Sequence, residues 1–89
     1  DLYKFGVFLQ NNKFWDAQIE QIHVLPDRNI ELVPRVGDHL VYLGKLENFE
    51  NKLARLKEFY QKGLNQVGWN KYSRISLEFS NQIICTKRE

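Results

Sequence analysis

The chain has 89 residues, and its 13 lysines and arginines against 11 aspartates and glutamates leave a net charge of only +2. This length predicts one domain over residues 1–89, and so small a charge does not by itself create a nucleic-acid surface. Six phenylalanines, four tyrosines and two tryptophans, within a hydrophobic content of 43%, suffice for one core and exclude a disordered chain.

Signals for membrane insertion, targeting and disulfide bonding are sparse. No apolar run approaches the roughly 20 residues that a transmembrane helix needs. The chain starts at Asp1 without a basic and then apolar leader, so we expect a piece of a longer protein. The single Cys85 excludes an internal disulfide framework and a multi-cysteine zinc site.

The first elements are a helix and a bulged strand. Apolar residues recur at three- and four-residue steps between Leu2 and Leu9, which predicts a short helix ending near Asn12. Over residues 17–24, apolar and polar residues alternate, but the apolar residues move from the odd to the even positions part of the way along. This change predicts a strand with a β-bulge near Glu20.

The next predicted unit is a β-hairpin. Alternation over 30–34 indicates a strand that is marginal or at an edge near its end, because Pro34 cannot donate to a central ladder. Gly37 and Asp38 are typical turn residues before a second strand over 40–43, and Gly44 ends that strand.

A long amphipathic helix has the most regular pattern in the chain. Its apolar stripe comprises Phe49, Leu53, Leu56, Tyr60, Gly63, Leu64 and Val67. We expect Asn48 to cap its start, Gly68 to follow its end, and Glu58 to pair with Lys62 at the i,i+4 spacing. Lys52, at the edge of the stripe, can lay its methylenes on the sheet.

Alternation returns at Ile75, Leu77 and Phe79, and a turn at Ser80 and Asn81 precedes a last strand over 82–87. The complete order is α-β-β-β-α-β-β. It predicts an α+β fold with a single mixed, largely antiparallel sheet of about five strands and two helices packed on one face.

The sequence offers no pattern for catalysis, a cofactor or a metal. His23 and His39 lie in different predicted elements and outside any metal-binding spacing. Cys85 alternates with Ile83 in an apolar strand, which is typical of a small buried hydrophobe rather than a reactive thiol. We therefore expect no catalytic residues, no cofactor and no metal.

Two binding functions remain open. Trp69, Lys71, Tyr72 and Arg74 interleave aromatic and basic side chains, as single-stranded nucleic-acid sites do, although closure of the core by the aromatics explains the pattern better. The alternative is strand recognition. The last strand lacks proline and has charges only at its far end, so it is poorly protected if it lies at an edge. Another strand of a longer protein could also cover it.

Four stretches carry a family resemblance that covers most of the chain. They are Phe-Trp-Asp-Ala-Gln-Ile-Glu-Gln-Ile at 14–22, Glu-Leu-Val-Pro-Arg-Val-Gly-Asp at 31–38, Leu-Gly at 43–44 followed by Lys-Leu-Ala-Arg-Leu at 52–56, and the closing stretch 75–86. In order and spacing they resemble the C-terminal β domain of the FtsQ/DivIB family of bacterial cell-division proteins.

The resemblance implies a non-enzymatic divisome scaffold, anchored in the inner membrane by one helix that precedes a POTRA domain and this periplasmic domain at the septum. It implies docking of the division proteins FtsB and FtsL, contact with other divisome proteins, no nucleic acid, and a role in septal peptidoglycan synthesis. By the resemblance, a strand of FtsB adds to the last strand, and the partner-binding residues are Phe79, Asn81, Gln82, Ile83, Ile84, Cys85, Thr86 and Lys87.

The end of the penultimate strand departs from the family pattern. Where the family often has Asp-x-Arg-Tyr at the end of the penultimate strand, this chain has Ser76, Leu77, Glu78 and Phe79. Glu78 reverses the charge of the family arginine. The resemblance therefore implies that a basic residue of the partner faces Glu78.

Overall fold

The computed structural model describes residues 2–35, 39–64, 71–79 and 82–87. These residues form α1 (Leu2–Asn11), α2 (Lys13–Gln18), β1 (Ile19–Val24), β2 (Ile30–Pro34), β3 (Leu40–Gly44), α3 (Phe49–Phe59), β4 (Tyr72–Ser76) and β5 (Ile84–Lys87). A π-helical turn, Tyr60–Leu64, continues α3. Among the described helices, none is long and apolar enough to cross a membrane.

The five strands form one sheet in the order β1-β2-β3-β4-β5. The β1/β2, β2/β3 and β4/β5 pairs are antiparallel, while β3 and β4 are parallel. The parallel pair requires a crossover connection, which α3 supplies. The predicted α+β fold with one mixed, largely antiparallel sheet is confirmed, and β1 and β5 are its edges.

One face of the sheet carries the helices and the core. Leu32, Val41 and Ile75 are cross-strand neighbours in one row of that face. The helices add Phe5, Leu9, Trp15, Leu53, Leu56 and Tyr60 to the same buried cluster. The opposite face carries the row formed by Glu31, Tyr42 and Ser76. We call this second side the open face.

The first predicted helix is confirmed, but the chain does not then enter a strand directly. Residues 17 and 18 belong to α2, so the predicted element order lacks one helix. The side chain of Asn12 accepts a hydrogen bond from the backbone N–H of Trp15 at 3.2 Å, which starts α2 and buries Trp15. The predicted bulge is confirmed, because the register shifts between Ile19 and Gln21.

The second strand is an edge near its end, which is one of the two predicted alternatives. β2 lies between β1 and β3, and Pro34 is its last residue, opposite Ile19 of β1. The described pairing with β3 runs only from Ile30 to Leu32, so proline occupies a place where no donor to β3 is needed. Gly37 and Asp38 lie outside the described residues. Gly44 ends β3 as predicted, with φ at +78°.

The long helix begins at Phe49 as predicted, and Leu53 and Leu56 of its stripe are fully buried. Asn48 stands at the N-cap position, but its side chain makes no capping hydrogen bond and its φ is 55°. The expected side-chain cap is therefore wrong. The i,i+4 pair between Lys62 and Glu58 is confirmed at 3.3 Å. Val67 and Gly68 lie outside the described residues.

Candidate functional site

The last strand, β5, lies at one edge of the sheet. It pairs with β4 through Ser76 and Ile84, Ile75 and Cys85, Arg74 and Thr86, and Tyr72 and Lys87. In the described parts of the chain, no strand pairs with its other side. The strand begins at Ile84 rather than at residue 82, so it is shorter than predicted.

Two hydrogen bonds show which backbone groups of β5 face outward. The Leu77 N–H donates to the Tyr42 carbonyl at 2.8 Å, so the backbone of Leu77 faces β3. The backbone groups of successive strand residues point to opposite sides of the strand. The backbone groups of Ser76 and Arg74 therefore face β5. The hydroxyl of Ser73 donates to the Thr86 carbonyl at 3.4 Å, which independently places that carbonyl on the β4 side. The N–H and C=O groups of Cys85 and Lys87 therefore point away from the sheet.

The side chains of β5 alternate between the two faces. Ile83, just before the strand, and Cys85 pack against the core, while Ile84 on the open face is 45% exposed. Cys85, predicted as a small buried hydrophobe, is half-buried against the core, and this burial raises the pKa of its thiol. The thiol therefore behaves mainly as a small packing group. Thr86 and Lys87 are exposed.

The carbonyl of Phe79, ahead of β5, accepts two hydrogen bonds from described residues. This carbonyl accepts hydrogen bonds from the Gln82 N–H at 3.4 Å and from the guanidinium of Arg55 in α3 at 3.5 Å. The ring of Phe79 is half exposed, and Phe79 lies after the end of β4 rather than within the strand. Gln82 is exposed, and Asn81 lies outside the described residues.

A groove of about 600 Å³ lies along α3 and the π-helical turn and reaches Ile83, the residue before β5. It is lined by Arg55, Glu58, Phe59, Lys62, Gly63 and Ile83. Ile83 makes the groove continuous with the edge. Two bases and one acid at its rim give it a weakly positive character, and an occupant of the edge would meet these charges as well.

The two histidines and the cysteine lie on different parts of the sheet. His23, on β1, is exposed and lies 2.8 Å from the Gln21 side chain. The Nε2 atom of buried His39 lies 2.8 Å from the hydroxyl of Tyr60, and burial raises the pKa of that tyrosine strongly. The described residues contain no group of three or more His, Cys, Asp or Glu that could hold a metal ion.

The residues considered for nucleic-acid binding do not form one platform. The ring of Tyr72 packs 6.1 Å from that of Phe59 on the helix side. Arg74 lies on the open face, with its guanidinium 4.6 Å from the centre of the Tyr42 ring. Lys71 is exposed, and Trp69 lies outside the described residues. The sheet thus separates Tyr72 from Arg74.

Comparison with known proteins places these features in a family context. Residues 1–86 match a family model described as FtsQ/DivIB, C-terminal related. No curated protein gives a significant match. The matched region includes all five strands, with β5 represented up to Thr86.

Proposed function

The chain belongs to the FtsQ/DivIB C-terminal related family, and on that premise we propose that it binds FtsB and FtsL, with a strand of FtsB adding to β5. The family is a non-catalytic scaffold family of cell division, so the chain is a divisome-associated domain. Our proposal extends this assignment to a partner and to a docking edge.

The observation that carries the proposal is the unpaired side of β5. Strand addition requires backbone donors and acceptors without partners, and no strand in the described parts of the chain pairs with the outward groups of Cys85 and Lys87. The exposed side chains of Ile84 and Phe79 add apolar surface close to the same edge. Backbone bonds would supply affinity, while these side chains would supply specificity.

The cellular role follows from the same premise. The family is associated with the membrane at the division septum. We propose that this domain lies on the periplasmic side of the inner membrane, anchored by a single helix of the longer protein. There it would contact other divisome proteins and help to position and regulate septal peptidoglycan synthesis. A membrane helix and a POTRA-like segment encoded before Asp1 would support this placement.

The decisive experiment compares proline substitutions at the two edges of the sheet. Cys85→Pro removes an outward donor of β5 and obstructs an incoming strand. Ile22→Pro is the matched control at β1. The Leu25 N–H donates to the Asn29 carbonyl, on the side of β2. Because the backbone groups of successive residues alternate in direction, the Ile22 N–H points away from β2 and out of the sheet.

Binding of the periplasmic part of FtsB from the same organism is measured by calorimetry, with circular dichroism as the check on folding. We expect Cys85→Pro to weaken binding by about 100-fold, equivalent to about 3 kcal/mol, and Ile22→Pro to leave it unchanged. A folded Cys85→Pro variant with unchanged affinity would refute the proposed edge. Adding the FtsL segment then tests whether both partners bind together.

Salt dependence separates strand addition from binding by the charges of the groove. Salt screens the electrostatic interactions of surface charges such as Arg55 and Lys62, because the Debye length falls from about 10 Å at 0.1 M salt to about 3 Å at 1 M. Binding through the backbone of β5 should weaken only modestly over that range. A steep loss of affinity would favour the groove as the main contact.

A further inference from the structure

A second groove lies between α1 and β1, at the edge of the sheet opposite to β5. Its volume is about 460 Å³, and the buried side chains of Trp15 and Ile19 form its floor. One wall is a face of α1 with residues at three- and four-residue steps, namely Tyr3, Gly6, Val7 and Gln10. The other wall is β1 up to Ile22, which is 38% exposed. The groove therefore presents apolar surface along the β1 edge.

Gly6 gives this groove its depth. Glycine in the interior of a helix is less favourable than alanine. Packing accounts for Gly63, because a Cβ atom there would lie 3.1 Å from the ring of Phe59. A Cβ atom on Gly6 would meet no heavy atom within 4 Å in the described parts of the chain. The missing side chain instead lets the backbone of another molecule come close to α1.

The charges at the rim of this groove have one sign. Asp16 of α2 and Glu20 of β1 are exposed and line the groove, and none of its described lining residues is basic. The groove along α3 has the opposite character, with two bases and one acid. Opposite charges across an interface favour association, and like charges oppose it. An occupant of the groove between α1 and β1 should therefore carry basic side chains beside its apolar ones.

The charges and the shape of the groove distinguish three kinds of occupant. In a symmetric dimer both subunits use the same patch, so a second copy would bring its own Asp16 and Glu20 towards this rim and add repulsion. An added strand would have to pair with β1 across the register shift between Ile19 and Gln21, which discourages pairing. A helix satisfies its backbone hydrogen bonds internally and needs no register with β1. Packed helix axes lie about 8–10 Å apart, and a glycine at the contact favours the shorter distance.

We propose that the groove between α1 and β1 docks a basic amphipathic α-helix of a second protein. The apolar side of that helix lies on Trp15 and Ile19, and its backbone approaches Gly6. Its lysines or arginines face Asp16 and Glu20. This site goes beyond the proposed function, because it lies at the opposite edge from β5 and uses no strand of FtsB. With both edges occupied, the domain holds two partners at once.

The probe is a random-peptide display library that is selected on the folded chain and depleted of sequences that also bind a Gly6→Gln variant. The glutamine side chain fills the hollow on α1, so depletion retains the peptides that need the groove open. Circular dichroism and the urea midpoint check the variant. We expect its midpoint to be equal to or higher than that of the unsubstituted chain, because the position has space and glutamine is the better helix former.

We expect the retained peptides to be rich in lysine or arginine, to have apolar residues at helical spacing, and to become helical when they bind. Neutralising the rim with Asp16→Asn/Glu20→Gln should weaken binding of the best peptide about five- to tenfold. The matched control is Glu47→Gln/Glu50→Gln, which removes two exposed carboxylates near the start of α3. The control should change the affinity by less than about twofold.

The inference is overturned if depletion leaves no binding peptide, or if the retained peptides are acidic or bind as extended strands. Equal affinity of the best peptide for the rim variant and for the unsubstituted chain would show that Asp16 and Glu20 are not part of the contact. A lower urea midpoint for Gly6→Gln would show that packing requires the glycine. Finally, a dimer of the unbound chain that Gly6→Gln abolishes would make the groove an interface between two copies.

Discussion

The two edges of the sheet are equivalent in topology but different in chemistry. β1 and β5 each pair with one described neighbour, and each exposes large apolar side chains. Ile22 and Val24 of β1 are 38% and 53% exposed, compared with 45% for Ile84 of β5. Exposed hydrophobicity therefore does not identify the docking edge.

The difference lies in what protects each edge. β1 begins with a register shift beside the charged Glu20, carries the polar side chains of Gln21 and His23, and is followed by Pro26. Bulges, charged side chains and prolines are the features that discourage edge-to-edge pairing. In β5, charge enters only at Lys87, and the register shift in its pairing with β4 adds a residue to β4, between Tyr72 and Arg74, rather than to the edge strand itself. The edge with fewer of these protecting features is the better candidate for a partner strand.

The largest predicted effect concerns the support shared by both edges. Leu56 of α3 is fully buried in the core, so Leu56→Ala should cost about 2–4 kcal/mol through lost transfer energy and a cavity. Urea unfolding measures the total loss in the free energy of unfolding. Amide hydrogen exchange in β1 and β5 shows whether both edges lose protection equally. A loss below about 1 kcal/mol would mean that α3 is peripheral. Unequal losses would show that the two edges unfold separately.

The second prediction compares neighbouring positions of β5. The Ile84 N–H faces β4, so Ile84→Pro should remove a ladder hydrogen bond and cost about 2–3 kcal/mol. Cys85→Pro, whose missing N–H faces outward, should cost less than about 1 kcal/mol. Urea midpoints of the two variants test the assignment. Equal losses would mean that the outward positions of β5 are misassigned.

Much of the sheet was predictable because its strands are short runs of alternating residues. The bulge near Glu20 follows from a change of phase that one extra residue explains. The stripe containing Leu53 and Leu56 is long enough for its period to be unambiguous. The edge character of β2 near its end followed from Pro34, because proline cannot donate to a central ladder and Pro34 lies where pairing with β3 has ended.

The short helix α2 shows where sequence patterns are insufficient. Its 6 residues are too few to separate a period of 3.6 from a period of 2. One usable signal was present, since Asn12 stands three residues before Trp15 and caps the helix through that N–H. The contact between Glu78 and Gly44 had no sequence signal, because it depends on how the exit of β4 crosses the end of β3.

The smallest predicted effect gives a direct comparison of the two edges through thiol labelling. Cys85 is the single cysteine, and burial raises the pKa of its thiol, so less of it is thiolate at a given pH than for an exposed cysteine. The matched probe is Val24→Cys in a Cys85→Ser background, at the exposed end of β1.

With a neutral alkylating reagent at pH 8, the reaction rate of Cys85 should be lower than that of the cysteine at position 24 by a factor of about three or more. The rate of Cys85 should also continue to rise at pH values where the rate of the exposed thiol no longer changes. An FtsB strand on β5 should slow Cys85 further, because it suppresses the local opening through which a half-buried thiol at an edge reacts. The same strand should leave position 24 unaffected. If FtsB instead protects position 24 and leaves Cys85 unchanged, β1 is the docking edge despite its bulge and its charged Glu20.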